Sequence, residues 1–153
     1  MNVIENLKKL GLALPDPAPK GGLYAPVKVI GNVAYVSGQG PTEKGNPLFI
    51  GKLGKEITIE QGQEAARRCV LNALAALNNH FGSLDKIVGV IKVLGFVASA
   101  PGFNNQPQVV NGASQLLINI FGDNGWHARS AIGVNELPGN IPVEIEFIFQ
   151  LKE

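Results

Sequence analysis

Sulfur, histidine and charge are scarce in this chain, and each shortage removes a class of chemistry. Cys69 is the single cysteine, so no internal disulfide can form. It lies among Ala66, Val70 and Ala73 in a helical pattern, where a small buried hydrophobe is the expected role. Two histidines, His80 and His127, and no cysteine pair give no metal-binding spacing; no metal or other cofactor is expected. No phosphate loop, dinucleotide glycine fingerprint or Gly-x-Ser-x-Gly elbow is present, so neither Gly21-Gly22 nor Ser37-Gly38 marks such a site. No apolar run approaches a membrane span, which needs about 20 residues. The segment from Met1 to Leu14 carries Glu5, Lys8 and Lys9 without an apolar stretch. The expectation is a cytoplasmic protein that does not engage membranes.

Charged residues make up only 16% of the chain, against about a quarter in ordinary soluble domains. Net charge is +1. The basic pairs Lys8-Lys9 and Arg67-Arg68 read as solvated helix faces, so a nucleic-acid partner is not expected. The low charge points instead to surface buried against further copies of the chain. With 153 residues, one domain can hold its core without staples.

The apolar pattern orders the elements. Val3 to Leu12 reads as a short amphipathic helix, followed by the proline-rich connector Pro15-Asp-Pro-Ala-Pro19, which cannot continue it. Residues 1–20 are therefore assigned to a helix and connector and residues 21–153 to a single domain. Tyr24–Ile30 and Val33–Ser37 are two β runs around Gly31-Asn32, a hairpin turn signal. Gly38–Gly54 is loop-like, with room for a partial strand near Leu48–Ile50. Thr58–Phe81 is the clearest helix, with a Thr58/Gln61 capping box and a terminal Gly82. Asp85–Val97, rich in β-branched residues, reads as a long buried strand. Pro107 opens a second long helix running to Phe121. Ser130–Val134 and Val143–Leu151 are the last strands, the latter alternating with period two. The order β-β-α-β-α-β-β implies an α+β fold with two helices on one face of a mixed sheet.

Three segments carry polar chemistry: Tyr35-Val-Ser-Gly-Gln-Gly-Pro41; His127-Ala-Arg-Ser-Ala-Ile-Gly-Val134 with Leu137-Pro138; and Val143-Glu-Ile-Glu146. Arg129 stands at the mouth of an apolar strand. Its guanidinium fits a carboxylate with two parallel hydrogen bonds, and a surface Arg–Glu pair is the competing explanation. Glu144 is one of two acids on the exposed side of the last strand.

In this order the three segments resemble the Rid (YjgF-type) family, over about Gly22 to Leu151. The resemblance implies a chorismate-mutase-like α+β fold, a homotrimer and ligand clefts between subunits. It implies that Arg129 binds the carboxylate of a small metabolite and that Glu144 positions or activates the hydrolytic water. Tyr24 corresponds to a tyrosine closing the cleft, Ser37 to a serine on the second strand and Asn111 to a helix asparagine contacting the site. Plainer roles stand beside these: Tyr24 as a strand-start aromatic, Ser37 as a turn residue and Asn111 as a solvent-facing helix residue. The implied reaction is hydrolysis of imine or enamine acids of the 2-aminoacrylate type to 2-keto acids and ammonia. The alternative is a non-catalytic carboxylate-binding or regulatory module on the same fold.

The chain departs from the family at several points. Ala131 replaces the usual cysteine two residues after the arginine, Gly22-Leu-Tyr24 replaces Gly-Pro-Tyr, and Trp126-His127 replaces Phe-Pro. The N-terminal helix and the Gly38–Gly54 loop are also longer. These features resemble a divergent subgroup. A ribonuclease role lacks its parts: the sequence offers no basic groove, no stacking platform and no histidine pair.

Overall fold

The computed structural model describes residues 2–153. Helix α1 (Val3–Lys9) is capped by the Asn2 side chain. It closes at Gly11, where the Leu12 amide donates to the Leu7 carbonyl and the Gly11 amide to that of Lys8. Gly11 has φ +72°, the left-handed turn that only glycine adopts without penalty. Val3 and Leu7 are buried in the core, and the Asn6 side-chain Nδ2 donates to the Ile120 carbonyl at 2.7 Å.

The hairpin β1 (Val27–Ile30) and β2 (Val33–Gln39) turns at Gly31-Asn32 as the sequence suggests. It begins at Val27 rather than Tyr24, directly after Pro26, which has no amide to donate. In the following loop, β3 (Thr42–Glu43) pairs with β4 (Asn46–Pro47). The partial strand expected at Leu48–Ile50 therefore forms earlier, because Gly45 at φ +83° closes a tight turn. Buried Asn72 pins this loop to the helix layer, donating to the carbonyls of Gly40 and Thr42 at 2.9 and 3.0 Å.

Helix α2 (Ile59–Phe81) shows both halves of the Thr58/Gln61 capping box and the left-handed Gly82. After β5 (Ile87–Ala98) comes α3 (Gln106–Phe121), then the 3-10 turn Gly122–Gly125 and β6 (Ala128–Val134). A second 3-10 turn, Pro138–Asn140, leads into β7 (Val143–Leu151). The two long helices pack directly together, and glycine permits the approach. A Cβ on Gly112 would run into the Gln63 backbone, and one on Gly62 would lie 2.9 Å from the Leu53 side chain. The latter would also lie 3.0 Å from Val109 of α3, so a glycine, which costs a helix about 1 kcal/mol against alanine, stands where the two helices approach closely.

The five-stranded sheet has the order β1-β2-β7-β5-β6, with β5 and β6 parallel and the other neighbouring pairs antiparallel. Val143, Ile145, Phe147 and Phe149 of β7 point into the core beneath α2 and α3. Their register partners Val97, Gly95 and Val93 on β5 share that face, and so do Gly133, Ala131 and Arg129 on β6. The opposite face has no helix layer. Tyr35, Ile91 and Ile132 remain exposed there. No helix among the described residues is long and apolar enough to cross a membrane.

Candidate functional site

Arg129 lies on the edge strand β6, on the helix-side face, and reaches to α3. Its Nη1 donates to Asn111 Oδ1 at 2.7 Å and to Ser114 Oγ at 3.1 Å. A guanidinium Nη carries two protons, so both on Nη1 are engaged. The Nε–Nη2 edge keeps its parallel donors, the fork that a carboxylate accepts. Among the described residues the ion pairs are Lys52–Glu136, Lys55–Glu56 and Arg67–Glu64; Arg129 is in none of them. It borders a cavity of about 590 Å³ whose wall includes Gln63, Arg67, Asn111, Ser114, Trp126 and His127. Partial burial pulls its pKa below the ordinary arginine value, yet a guanidinium stays protonated at neutral pH.

Two residues given no site role by the sequence, Ser114 and His127, complete this cluster. Ser114 Oγ lies 2.9 Å from His127 Nε2, and His127 Nδ1 lies 2.7 Å from the Gly125 carbonyl oxygen. A carbonyl only accepts, so Nδ1 carries a proton. Burial holds the imidazole below its ordinary pKa; the Gly125 carbonyl pulls the other way and Arg129 adds to the depression. The ring is therefore neutral at pH 7, and Nε2 accepts from the Ser114 hydroxyl. Gly125 is irreplaceable here, since a side chain on it would collide with the Leu117 carbonyl of α3. His127 immediately precedes β6, two residues before Arg129, and both border the same cavity. That spacing was the available signal; Ser114, in mid-helix, offered none.

The other expected residues gather around the end of β2. Ser37 Oγ donates to the Ala25 carbonyl at 2.7 Å, and its amide donates to the Pro26 carbonyl at 2.9 Å. The Tyr24 hydroxyl accepts from the Gly21 amide at 2.9 Å, and its ring is largely exposed. Glu144, half-buried on β7, packs against Gly38: a Cβ there would stand 2.6 Å from its carboxylate oxygen. Burial raises the Glu144 pKa and the nearby Glu146 charge raises it further. Glu144 is thus a stronger base than an ordinary carboxylate, the direction useful in proton transfer.

The structure brings Arg129 and Asn111 together and sets Tyr24, Ser37 and Glu144 in a second group. Within one chain the two groups do not meet. Glu144 pairs with Phe96 and Arg129 with Val93. These positions differ by an odd number along β5, so the side chains leave opposite faces of the sheet.

The family model for the YjgF/chorismate mutase-like family, described as "putative endoribonuclease", matches residues 5–149. The chain belongs to this family. Protein TCP17 of Trypanosoma cruzi is 38% identical over 150 residues, covering 97% of this chain and 94% of that one. The crystal structure of Atu1372 from Agrobacterium tumefaciens is 42% identical, with a TM-score of 0.90 over 98% of this chain and 92% of the other. A Shewanella oneidensis MR-1 structure that bears the same endoribonuclease description is 31% identical, with a TM-score of 0.93 over 99% of this chain and all of the other. The chorismate-mutase-like α+β fold follows from these matches and the sheet order together, and family membership supports a small-molecule deaminase or binding role.

Proposed function

We propose that the chain is a hydrolase of small imine or enamine acids of the 2-aminoacrylate type, releasing 2-keto acids and ammonia, and that its site is completed between subunits of a homotrimer. The observation that carries this reading is the Arg129 guanidinium, oriented through Nη1 by Asn111 and Ser114 in a residue that borders a cavity of about 590 Å³. A carboxylate held on that edge by two hydrogen bonds fixes the adjacent imine carbon.

Glu144 would then serve as the base that draws a proton from water as oxygen attacks this carbon. The same proton passes to nitrogen, giving a carbinolamine; its hydroxyl proton is then taken by Glu144 and handed to nitrogen as the C–N bond breaks, so that the C=O of the keto acid forms and ammonia leaves. Because Glu144 lies on the other sheet face of its own chain, this role calls for the Glu144 of a neighbouring copy beside Arg129. The uncovered face with Tyr35, Ile91 and Ile132 supplies apolar surface for such a contact. Tyr24 and Ser37 would accompany Glu144, Tyr24 closing the cleft. The uncatalysed reaction already proceeds in water, so acid–base help of about 10²–10⁴-fold suffices. Neither Ala131 nor the single buried cysteine blocks this chemistry, since no thiol nucleophile is needed.

The test is a screen of purified protein against imines generated in situ from several amino acids, followed by ammonia or keto-acid release. Arg129→Ala should abolish the release and leave the assembly intact; unchanged rates in that variant contradict the reading. The separation of Arg129 from Glu144 within one chain favours a second reading, a non-catalytic carboxylate-binding module. Tight carboxylate binding without turnover of any imine would select it.

A further inference from the structure

The Arg129 cavity contains a hydrogen-bond chain that extends past the anchor: Arg129 to Ser114, Ser114 to His127, His127 to the Gly125 carbonyl. We propose that Ser114 and His127 are positioning residues for Arg129, and that protonation of His127 strengthens carboxylate capture in this cavity. The inference rests on the reading of Arg129 as a carboxylate anchor, but not on turnover.

With His127 neutral, Nδ1–H is committed to Gly125, so the Ser114 proton points to Nε2. Ser114 Oγ keeps its lone pairs for Arg129, and the guanidinium is held at a fixed rotation. With His127 protonated, Nε2 becomes a donor to the same Oγ. Ser114 then accepts from both Arg129 and His127, and its own proton must turn away from the ring, toward the cavity. The chain stays intact while the cavity gains one positive charge and one outward hydroxyl donor. Both changes favour an anion.

The charged groups around the ring are few. Arg129 lies two residues further on, in β6, and Arg67 of α2 also borders the cavity, paired with Glu64 at 2.7 Å. Asp123 belongs to the 3-10 turn that also supplies Gly125. On the α3 side the cavity wall consists of neutral Asn111, Ser114, Gln115 and Ile118 with Gly112. Lys92 of β5, in register with Ala128, leaves the other face of the sheet. Among the described residues no carboxylate lines this cavity, so a bound anion is the natural partner of a protonated His127.

The test is calorimetric titration of the full chain with pyruvate from about pH 5 to pH 8, a range in which histidine titrates. Wild type, His127→Gln and Ser114→Ala are compared, each also in a Glu144→Gln background so that the other perturbed acid cannot supply the pH dependence. Wild-type affinity should rise about three- to tenfold as pH falls, from linkage between proton and anion binding. His127→Gln, which can hydrogen-bond but not titrate, should lose this slope. Ser114→Ala should bind more weakly at every pH. Nitrogen-15 spectra of the ring should show the Nδ1-protonated tautomer in the free protein. An unchanged slope in His127→Gln, or an Nε2-protonated ring, overturns the proposal while leaving the anchor in place. Failure of wild type to bind pyruvate at any pH overturns the anchor reading, and this proposal with it.

Discussion

Arg129 and Glu144 leave the central sheet on opposite faces, one beneath α3 and the other against Gly38. A single chain therefore holds two halves of a candidate site.

Arg129→Lys should be almost as damaging to carboxylate capture as Arg129→Ala. Lysine is a point charge without the planar fork, and it cannot serve Asn111, Ser114 and a carboxylate in the same arrangement. The expected loss in kcat/KM is about 10²-fold or more, corresponding to about 3 kcal/mol of lost binding and orientation. Steady-state kinetics on an imine generated in situ would measure it.

Glu146→Gln should move the acid limb of the pH–rate profile to lower pH. Glu144 must be ionised to accept a proton, and the Glu146 charge opposes that ionisation. Removing the charge lowers the Glu144 pKa, so the active form persists further into acid. A raised carboxyl pKa also means that the folded state holds its proton more firmly than the unfolded chain does. The contribution of Glu144 to stability therefore grows as pH falls through the folded pKa toward the unfolded value, and Glu144→Gln should stabilise the protein slightly at neutral pH. Kinetic pH profiles and thermal melts of the two variants check both signs.

Gly38→Ala should reduce turnover while sparing carboxylate binding. The added methyl would meet the Glu144 carboxylate at 2.6 Å, and the end of that side chain is what yields. A loss of about tenfold or more in kcat, from a displaced base, with pyruvate affinity unchanged, is the expected pattern. A parallel loss of both would show that Gly38 acts on the fold instead.

Gly112→Ala tests the packing that holds α3, and with it Asn111 and Ser114, in place. The new methyl would collide with the Gln63 backbone, which cannot step aside as a side chain can. Destabilisation of about 1–3 kcal/mol is expected, against about 1 kcal/mol for Thr58→Ala at the α2 cap. Denaturant midpoints at unchanged slope would report both.

Much of this architecture was legible in the sequence because its signals are local. The Thr58/Gln61 box, Gly82, the Gly31-Asn32 turn and the period-two pattern of β7 each decide a boundary through nearby residues. In place of the partial strand expected near Leu48–Ile50, the β3–β4 hairpin forms earlier in the loop, which Asn72 and Arg68 fix from α2, some thirty residues away in sequence. Arg129 and Asn111 were found through family motifs and do meet. His127 was visible only as a departure from the family pattern, and Ser114 was invisible, because a mid-helix serine acquires meaning only when β6 docks beside it. The opposed faces of Arg129 and Glu144 depend on the register of two strands on β5, which no motif encodes.

Subunit mixing tests the central claim most directly. Arg129→Ala and Glu144→Gln chains, each inactive alone, are unfolded together, refolded and assayed for keto-acid release. If the site joins Arg129 of one copy to Glu144 of another, about a quarter of the interfaces in a random mixture carry both intact groups, and activity should return to that fraction of wild type. Mixed assemblies that form but remain inactive would contradict a shared site between subunits.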